Sequence, residues 1–248
     1  MLQHLRTLRE RLQGKTSKVE HLQRKAFSEF IDKNRKPNAK GLSISCGDGI
    51  WDYLAFKNGL SIIEATDIVP NPVSSDDQKT LRQQGLWNFS QVAKDENLPW
   101  PENSFDISFS QDVIEHTVKP NLFISEQFRI LKPAGHIAVG TPNIFRPANI
   151  IRAFFGSLNF SLIIGRNIEI GNYIHEQEFH ERQLFLGLQE AGFEHISITH
   201  IFFGLHSIDI SFSDRPDFNV GKTFSHFLFA TASKPNMRTG AKVYALET

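Results

Sequence analysis

Apolar and polar residues alternate in a short run near residue 40 that ends in small residues. Leu42 and Ile44 alternate with serines, as in a short strand, and Gly47 and Gly49 follow where the chain must turn. Apolar residues at helical spacing come next: Trp51, Leu54 and Ala55. The pattern predicts a strand, a glycine turn that lets a ligand approach the main chain, and a helix whose first N–H groups lie beside that turn.

Short apolar runs continue to alternate with helical stretches along the chain. Further strands are predicted at residues 60–67, 86–92, 106–110, 136–141, 193–199 and 224–232, and helices at residues 76–84, 121–131 and 181–192. Residues 204–221 are predicted as a loop and residues 132–135 as a turn. Strands alternating with helices of this length imply right-handed crossovers and a mostly parallel sheet, hence an α/β fold.

Three segments stand outside this alternation. Residues 1–40 form a helical arm before the domain at residues 41–233, and residues 234–248 form a C-terminal tail. Residues 143–173 are an apolar insertion after the carboxyl end of a strand, where open α/β sheets bind ligands, which predicts a lid over a substrate pocket. A dimer contact is the alternative for the insertion, because exposed apolar surface needs a cover. The arm either covers the sheet or packs over the site or a partner subunit.

Composition restricts the partners. The 248 residues include 27 basic and 27 acidic ones, but residues 1–40 hold 11 Lys and Arg against 4 Asp and Glu. Only this arm would attract an anionic surface. We expect no nucleic-acid partner and no membrane contact, although the basic arm leaves membrane contact open as an alternative. A single cysteine, Cys46, excludes an internal disulfide, and no Cys/His spacing indicates a metal site. Without a secretory signal or an apolar run of ~18 residues, we expect a cytoplasmic protein.

An acidic residue closes the second apolar run. Asp67 lies eighteen residues beyond Gly49, at the tip of the predicted second strand. Nucleotide-binding α/β folds hold a ribose with an acid at this place, because a carboxylate accepts from both ring hydroxyls. The dinucleotide fingerprint is incomplete, since the stretch from Ser45 to Asp52 lacks a glycine at its first and last places. A nicotinamide cofactor is therefore disfavoured.

Two later stretches complete a family pattern. Residues 97–106, Asn-Leu-Pro-Trp-Pro-Glu-Asn-Ser-Phe-Asp, are followed by a strand that ends near Glu115 and His116. Together with the glycine turn, this resembles the class I S-adenosyl-L-methionine (SAM)-dependent methyltransferases of the small-molecule type, similar to the ubiquinone/menaquinone-biosynthesis methyltransferase superfamily. The resemblance implies a Rossmann-like, seven-stranded, mostly parallel sheet with helices on both faces and an antiparallel last strand.

The resemblance also assigns cofactor contacts. It implies that the backbone at Ser45, Gly47 and Gly49 approaches the methionine moiety, Asp67 binds the ribose, Ile68 packs on adenine, Asp95 with Glu96 or Asn97 meets the adenine amino group, and Gln111 and Val113 lie behind the sulfonium. Two departures are visible. The family has an acid and a glycine where Ser43 and Ser45 stand, and its adenine-reading acid precedes the Leu-Pro pair by four residues rather than three.

Methyl transfer from a sulfonium needs alignment and, for a hydroxyl acceptor, removal of a proton. His116, and His175 in a segment that resembles the family's acceptor pocket, are the candidate general bases, with a structural role as the alternative for each. We predict transfer to a small-molecule acceptor with release of S-adenosyl-L-homocysteine (SAH), and favour oxygen over nitrogen or carbon. The alternatives are a lipid-linked or quinone-like acceptor and a catalytically silent SAM-binding or partner-binding module. A homodimer through residues 143–173 remains open.

Overall fold

A central sheet organises the chain in the computed structural model, which describes residues 8, 14, 16–154, 177–206 and 209–236. Its strands are β1 (Lys40–Ser43), β2 (Ile62–Asp67), β3 (Leu86–Gln91), β4 (Phe105–Gln111), β5 (Leu131–Pro142), β6 (Glu194–Ile201) and β9 (Phe227–Ser233). They lie in the order β3-β2-β1-β4-β5-β9-β6. Strands β1 to β5 pair in parallel, and β9 runs antiparallel to both β5 and β6. The predicted seven-stranded sheet with an antiparallel last strand is confirmed.

Helices cover both faces of this sheet. They are α1 (Lys18–Asn34), α2 (Ile50–Lys57), α3 (Ser75–Gln84), α4 (Pro120–Ile130), α5 (Pro147–Phe154), α6 (Glu181–Glu190) and α7 (Asn219–Thr223). Buried residues of α1, α2 and α3 form one apolar core, and those of α4 and α6 form a second. Successive strand residues supply both cores, because side chains alternate across a sheet: Phe229 packs in the first and Leu228 in the second.

Helix α1 covers the sheet, which is one of the two roles expected for the amino-terminal arm. The Ser17 hydroxyl accepts a hydrogen bond from the Glu20 N–H at 3.2 Å and so caps the helix. Phe27 packs edge-on against Phe109 of β4 at 5.1 Å between ring centroids, and Phe30 packs against Phe229 at 6.2 Å. The apolar spacing that predicts this helix is therefore a core-facing stripe.

Two local predictions are wrong. Residues 132–135 are part of β5 as a bulge, because Phe105 pairs with Leu131 whereas Ile107 already pairs with His136. Residues 204–221 are not one loop. They contain most of a hairpin, β7 (Phe203–Leu205) with β8 (Ile210–Ser213), followed by α7. Strands of three and four residues are too short for alternation to reveal them in a sequence.

The insertion at 143–173 and the tail at 234–248 lie partly outside the described residues. The described part of the insertion contains α5, and residues 155–173 are not covered. Lys234, the first residue of the predicted tail, donates from Nζ to the Leu131 carbonyl at 2.7 Å and to the Phe128 carbonyl at 2.8 Å. Within the described ranges, no helix combines the length and the apolar character that crossing a bilayer requires.

Candidate functional site

The turn after β1 has a left-handed backbone at every second residue. Ser45, Gly47 and Gly49 have φ angles of +49°, +52° and +80°. No atom lies within 4 Å of the place where a Cβ would stand on Gly47, so this stretch of backbone is open to a ligand. A Cβ on Gly49 would instead lie 3.0 Å from the Leu81 side chain of α3. Gly47 therefore offers backbone to a cofactor, whereas Gly49 permits close helix packing and caps α2.

Asp67 joins the end of β2 to this turn. Its Oδ2 accepts a hydrogen bond from the Gly47 N–H at 3.0 Å, and its Oδ1 accepts from the Val69 N–H at 2.9 Å. Each carboxylate oxygen keeps a second lone pair, which is what binding two ribose hydroxyls requires. The neighbouring Ile68 side chain is 45% exposed and so presents an apolar surface beside the acid.

Asp95 reaches the same turn from the loop after β3. Its Oδ2 accepts from the Ser45 hydroxyl at 2.7 Å, and its Oδ1 is buried without a hydrogen-bond partner among the described residues. Burial raises the pKa of Asp95 to about 6, as do the charges of Asp67 and Glu96, while the Ser45 hydrogen bond lowers it. Glu96 is half-buried and Asn97 is exposed. The carboxyl ends of β1, β2 and β3 thus bring the predicted adenosine-binding residues together.

A buried acid lies beside Ser43, where the family has an acid. Asp52 of α2 is fully buried, and its Oδ2 accepts from the Trp87 indole at 2.7 Å. Burial raises the pKa of Asp52 to about 7, while the hydroxyl of Ser43 lowers it. A carboxyl group is therefore present below the turn, but it comes from a helix instead of β1.

Gln111 ends β4 with an amide group that lacks partners. Its side chain is 7% exposed, and among the described residues neither its Oε1 nor its Nε2 makes a hydrogen bond. The Gln111 amide lies against Gly140 of β5, where a side chain would overlap it. A buried amide without partners is costly, and such a group indicates a ligand or water that would satisfy it. Val113, the other residue predicted beside the sulfonium, lies two residues after Gln111 and is buried.

Glu115 is a functional candidate to which the sequence analysis assigns no role. It appears there only as the residue before His116. Its side chain is fully buried, and Oε2 accepts from the Thr141 hydroxyl at 2.9 Å, while Oε1 has no hydrogen-bond partner in the described part of the chain. Burial raises the pKa of Glu115 to about 8, with further contributions from the charges of Asp112 and Glu178. Glu115 therefore holds a proton near neutral pH.

The two candidate bases differ in what the structure describes. His116 ends a short 3-10 helix (Ile114–His116) directly after β4 and is half-buried, with its N–H donating to the Val113 carbonyl at 2.9 Å. His175 lies outside the described residues. The chain resumes at Gln177, whose N–H donates to the Glu115 carbonyl at 3.2 Å, so this strand-end turn and the segment after the insertion are adjacent.

A polar cluster holds the first residues of the insertion in place. The Arg146 guanidinium forms an ion pair with Glu178, and the Asn149 amide donates to the other Glu178 oxygen at 2.6 Å. Asn143 donates to the Thr223 carbonyl at 3.0 Å. Because Glu178 is 4% exposed, its pairing with Arg146 offsets a buried charge, and its bond to Asn149 ties α5 to the segment that contains Glu178.

These residues fit the cofactor that the resemblance implies. The turn offers open backbone at Gly47, Asp67 keeps free lone pairs, Asp95 Oδ1 is an orphaned buried acceptor, and the Gln111 amide is unsatisfied within the described residues. All four face the carboxyl edge of β1 to β4, which is where open α/β sheets bind ligands. The described ranges contain no group of three His, Cys, Asp or Glu residues that could hold a metal ion.

Comparisons with known proteins identify the central part of the chain. A family model described as a methyltransferase domain matches residues 42–139. Residues 42–139 are a methyltransferase domain, and the predicted class I SAM-dependent type is confirmed at the level of this domain. SAM is the cofactor of that family, so the predicted cofactor is confirmed at this level. The finer similarity to quinone-biosynthesis methyltransferases stays a prediction.

Two curated relatives match this methyltransferase domain. Phosphoethanolamine N-methyltransferase 1 of Zea mays is 34% identical over 114 residues, which are 45% of this chain and 22% of that protein. A probable SAM-dependent methyltransferase of Mycolicibacterium smegmatis is 34% identical over 107 residues, 43% of this chain and 35% of that protein. The chain spans about a quarter of the length of the phosphoethanolamine N-methyltransferases that it matches.

A solved structure shares the fold. Phosphoethanolamine N-methyltransferase 2 of Haemonchus contortus, in complex with phosphomonomethylethanolamine and SAH, superimposes with a TM-score of 0.59 at 15% identity. The match covers 86% of this chain and 53% of that one, and at this identity it shows the fold alone. The phosphoethanolamine-specific relatives are named as N-methyltransferases, so the comparisons do not support the expected preference for oxygen.

Proposed function

We propose that the methyltransferase domain transfers a methyl group from SAM to the nitrogen of a small amine. The observation that carries this proposal is the acidic character at the carboxyl end of β4, where the charge of Asp112 adds to burial in raising the pKa of Glu115. A sulfonium and an ammonium are both cations, and a site that brings them together needs negative charge nearby. The names of the curated relatives favour the same acceptor atom.

The cofactor-binding roles follow from the placement of the residues. The backbone at Ser45 and Gly47 would hold the methionine moiety, and Asp67 would bind the ribose hydroxyls. Ile68 would pack on adenine, with Asp95 and Glu96 or Asn97 near its amino group. The remaining groups, Gln111 and Val113, would lie beside the sulfonium, and Gly49 would keep the turn closed on α3. When bound, SAM supplies a methyl group that its positive charge already activates.

An amine attacks only in its neutral form, so the acceptor must lose a proton. We assign His116 the role of general base, because it follows β4 directly and a neutral imidazole takes a proton near neutral pH. Glu115 positions it. The Thr141 hydrogen bond and the bond between the Glu115 carbonyl and the Gln177 N–H hold the 3-10 turn that presents His116. His175 is the second candidate for the base.

Matched acceptors test the choice of nitrogen. The chain is incubated with methyl-deuterated SAM and with either phosphoethanolamine or 2-hydroxyethyl phosphate, which differ in the nucleophilic atom alone, and products are read by mass spectrometry. Ethanolamine and histamine extend the amine set, and ethylene glycol extends the alcohol set. Transfer to amines and not to the matched alcohols supports the proposal. Transfer to the alcohols would overturn it, as would SAH binding without transfer to any of these acceptors, the outcome of a silent module.

A lipid-linked or quinone-like acceptor is the remaining alternative. Its basis is the apolar character of residues 143–173, of which 155–173 lie outside the described residues. Co-sedimentation with vesicles of phosphatidylethanolamine and phosphatidylglycerol separates the two ideas. Turnover that requires the vesicles would favour the lipid-linked acceptor over a free amine.

A further inference from the structure

A cavity lies toward the end of the parallel strands opposite to the turn after β1, which we call the cofactor turn. It has a volume of about 440 Å³ and is bounded by α1 on one side and by the sheet on the other. Its sheet residues come from the beginning of β5, the end of β9 and the beginning of β6. The cofactor turn, in contrast, follows the carboxyl ends of β1 and β2. The two sites therefore use different residues at different ends of the parallel strands.

The floor of this cavity is polar. His136 of β5 pairs with Ser233 of β9, and Thr231 of β9 pairs with Ser197 of β6. Thr199 continues the row along β6. Strands β5, β9 and β6 form the antiparallel part of the sheet, and one face of an antiparallel sheet can be solvated. The row of hydroxyls and the imidazole beside α1 are therefore within reach of a ligand from solvent.

Most of these polar groups have no partner in the part of the chain that the structure describes. Within the described residues, no hydrogen bond or ion pair engages the Lys33 ammonium, the His136 imidazole, or the hydroxyls of Ser197, Thr199 and Thr231. Ser233 is different, because its hydroxyl donates to the Glu194 carbonyl at 3.3 Å. The uncommitted groups line one cavity, and all of them can donate a hydrogen bond.

The charge of the cavity is positive. Its single lining carboxylate, Glu29, is paired with the Arg215 guanidinium at 2.8 Å, which leaves the charge of Lys33 unbalanced. After burial, the charges of Lys36, Lys33 and His195 lower the pKa of His136, which is the effect expected in a cationic surrounding. Lys33 and Lys36 belong to the basic arm of residues 1–40.

We propose that this cavity binds a small, water-soluble phosphate ester at a site separate from the methyl-transfer site. Phosphate oxygens accept hydrogen bonds from hydroxyls, imidazoles and ammonium groups, which are the groups that Thr231, His136 and Lys33 offer here. The volume falls within the range of small-ligand sites and exceeds the size of inorganic phosphate. An ester whose organic part lies along α1, beside Ala26 and Phe30, fits both the polar floor and the apolar part of the wall.

Titration with pyrophosphate at constant ionic strength tests this site. Binding is followed by calorimetry and by the NMR signals of the histidine rings, assigned through His136→Gln and His195→Gln. We expect saturable binding that shifts the His136 and His195 signals and that persists at saturating SAH. Lys33→Gln and Thr231→Val should each weaken the affinity by about ten-fold, since each removes one donor to a charged ligand.

The matched control is Lys25→Gln, which removes the same charge from an exposed position of α1 outside the cavity. Equal weakening by Lys25→Gln and Lys33→Gln would reduce the effect to general electrostatics and overturn the proposal. Absence of saturable pyrophosphate binding would overturn it too, as would displacement of pyrophosphate by SAH. Co-sedimentation with phosphatidic acid vesicles that Lys33→Gln abolishes would assign the chemistry to a lipid headgroup instead of a soluble ester.

Discussion

The Ser45 hydroxyl donates a hydrogen bond of 2.7 Å to the buried carboxylate of Asp95, although the Ser45 backbone is left-handed. A residue with a Cβ is destabilised by roughly 1–2 kcal/mol in that conformation. A hydrogen bond to a charged group offsets this with about 1.5–3 kcal/mol. The serine that stands at the place of the family glycine thus has a strained backbone, but its hydroxyl forms a hydrogen bond between two loops of the cofactor site.

Substitution of Ser45 tests this exchange. Ser45→Gly should raise the pKa of Asp95 further above its present value of about 6, because the hydroxyl that stabilises the carboxylate is lost. Ser45→Ala loses the same hydrogen bond and keeps the strained backbone, so it should unfold more easily than Ser45→Gly by roughly 1 kcal/mol. Titration of the Asp95 side-chain carbon signal and urea unfolding measure the two effects. An unchanged Asp95 pKa in Ser45→Gly would contradict the assigned bond.

Gly47 and Gly49 should respond differently to alanine. Both have positive φ angles, but the Cβ of Gly47→Ala enters open space and that of Gly49→Ala meets the Leu81 side chain at 3.0 Å. We expect Gly49→Ala to lose more stability, by about 1–3 kcal/mol from overpacking, than Gly47→Ala. Gly47→Ala should weaken SAH binding more than it lowers stability. Thermal unfolding and calorimetry on both variants check this, and identical profiles would show that the two glycines have one role.

The parts of the site that follow from local sequence were predictable. Gly47 lies in a turn between a strand and a helix, and Asp67 closes the next strand, so spacing alone brings both to one edge of the sheet. The Ser45 to Asp95 bond joins residues 50 positions apart, and no local pattern records it. The departure of Ser45 from the family glycine was visible, but its partner depends on the path of the loop after β3.

The same limit applies to Glu115 and to the fold around it. The motif places Glu115 at a strand end, but its burial and its bond to Thr141 depend on the pairing of β4 with β5. The bulge in β5 was predicted as a turn because Pro133 and Gly135 are turn residues, and the continued pairing of Leu131 with Phe105 depends on the neighbouring strand. Sequence periodicity predicts helices of several turns and strands of several residues. Strands β7 and β8 have three and four residues, which is too short for a periodic pattern to show.

Glu115 should make the protein less stable as the pH rises. Its carboxyl keeps a proton up to about pH 8 in the folded state but has an ordinary value of 4.5, so the folded state binds more protons between these values. The free energy of unfolding therefore falls with rising pH across this window. Asp52 and Asp95 act in the same direction, with pKa values of about 7 and about 6.

Glu115→Gln removes one contribution to this dependence and keeps an acceptor for the Thr141 hydroxyl. We expect its melting temperature to exceed that of the wild type at pH 8.5 by about 2–4 °C per kcal/mol recovered, and to differ little at pH 4. The exposed residue Glu102, replaced by Gln, is the control and should leave the profile unchanged. A Glu115→Gln protein with the wild-type pH profile would show that Glu115 is ionised in the fold.

His116 is distinguished from a structural histidine by its effect on turnover. If His116 removes the acceptor proton, His116→Ala should lower turnover by about 10²–10⁴-fold with SAH affinity nearly unchanged. The wild-type rate should rise with pH as the imidazole loses its proton, because only the neutral form is a base. His180 is the matched control, since its ring accepts from the Arg182 N–H at 3.3 Å and caps α6. His180→Ala should lower stability and spare the turnover of the folded protein. A flat rate under single-turnover conditions would contradict base catalysis by His116.

The central claim is that the carboxyl ends of β1 and β2 bind SAM through Asp67. Calorimetric titration of SAH into the wild type, Asp67→Ala and Asp76→Ala measures it directly, with Asp76 serving as an acid of the same type on the exposed face of α3. Loss of a charge-assisted pair of hydrogen bonds should weaken SAH binding to Asp67→Ala by about 10–100-fold, with the Asp76→Ala affinity equal to that of the wild type. Equal SAH affinity for Asp67→Ala and the wild type would contradict the account.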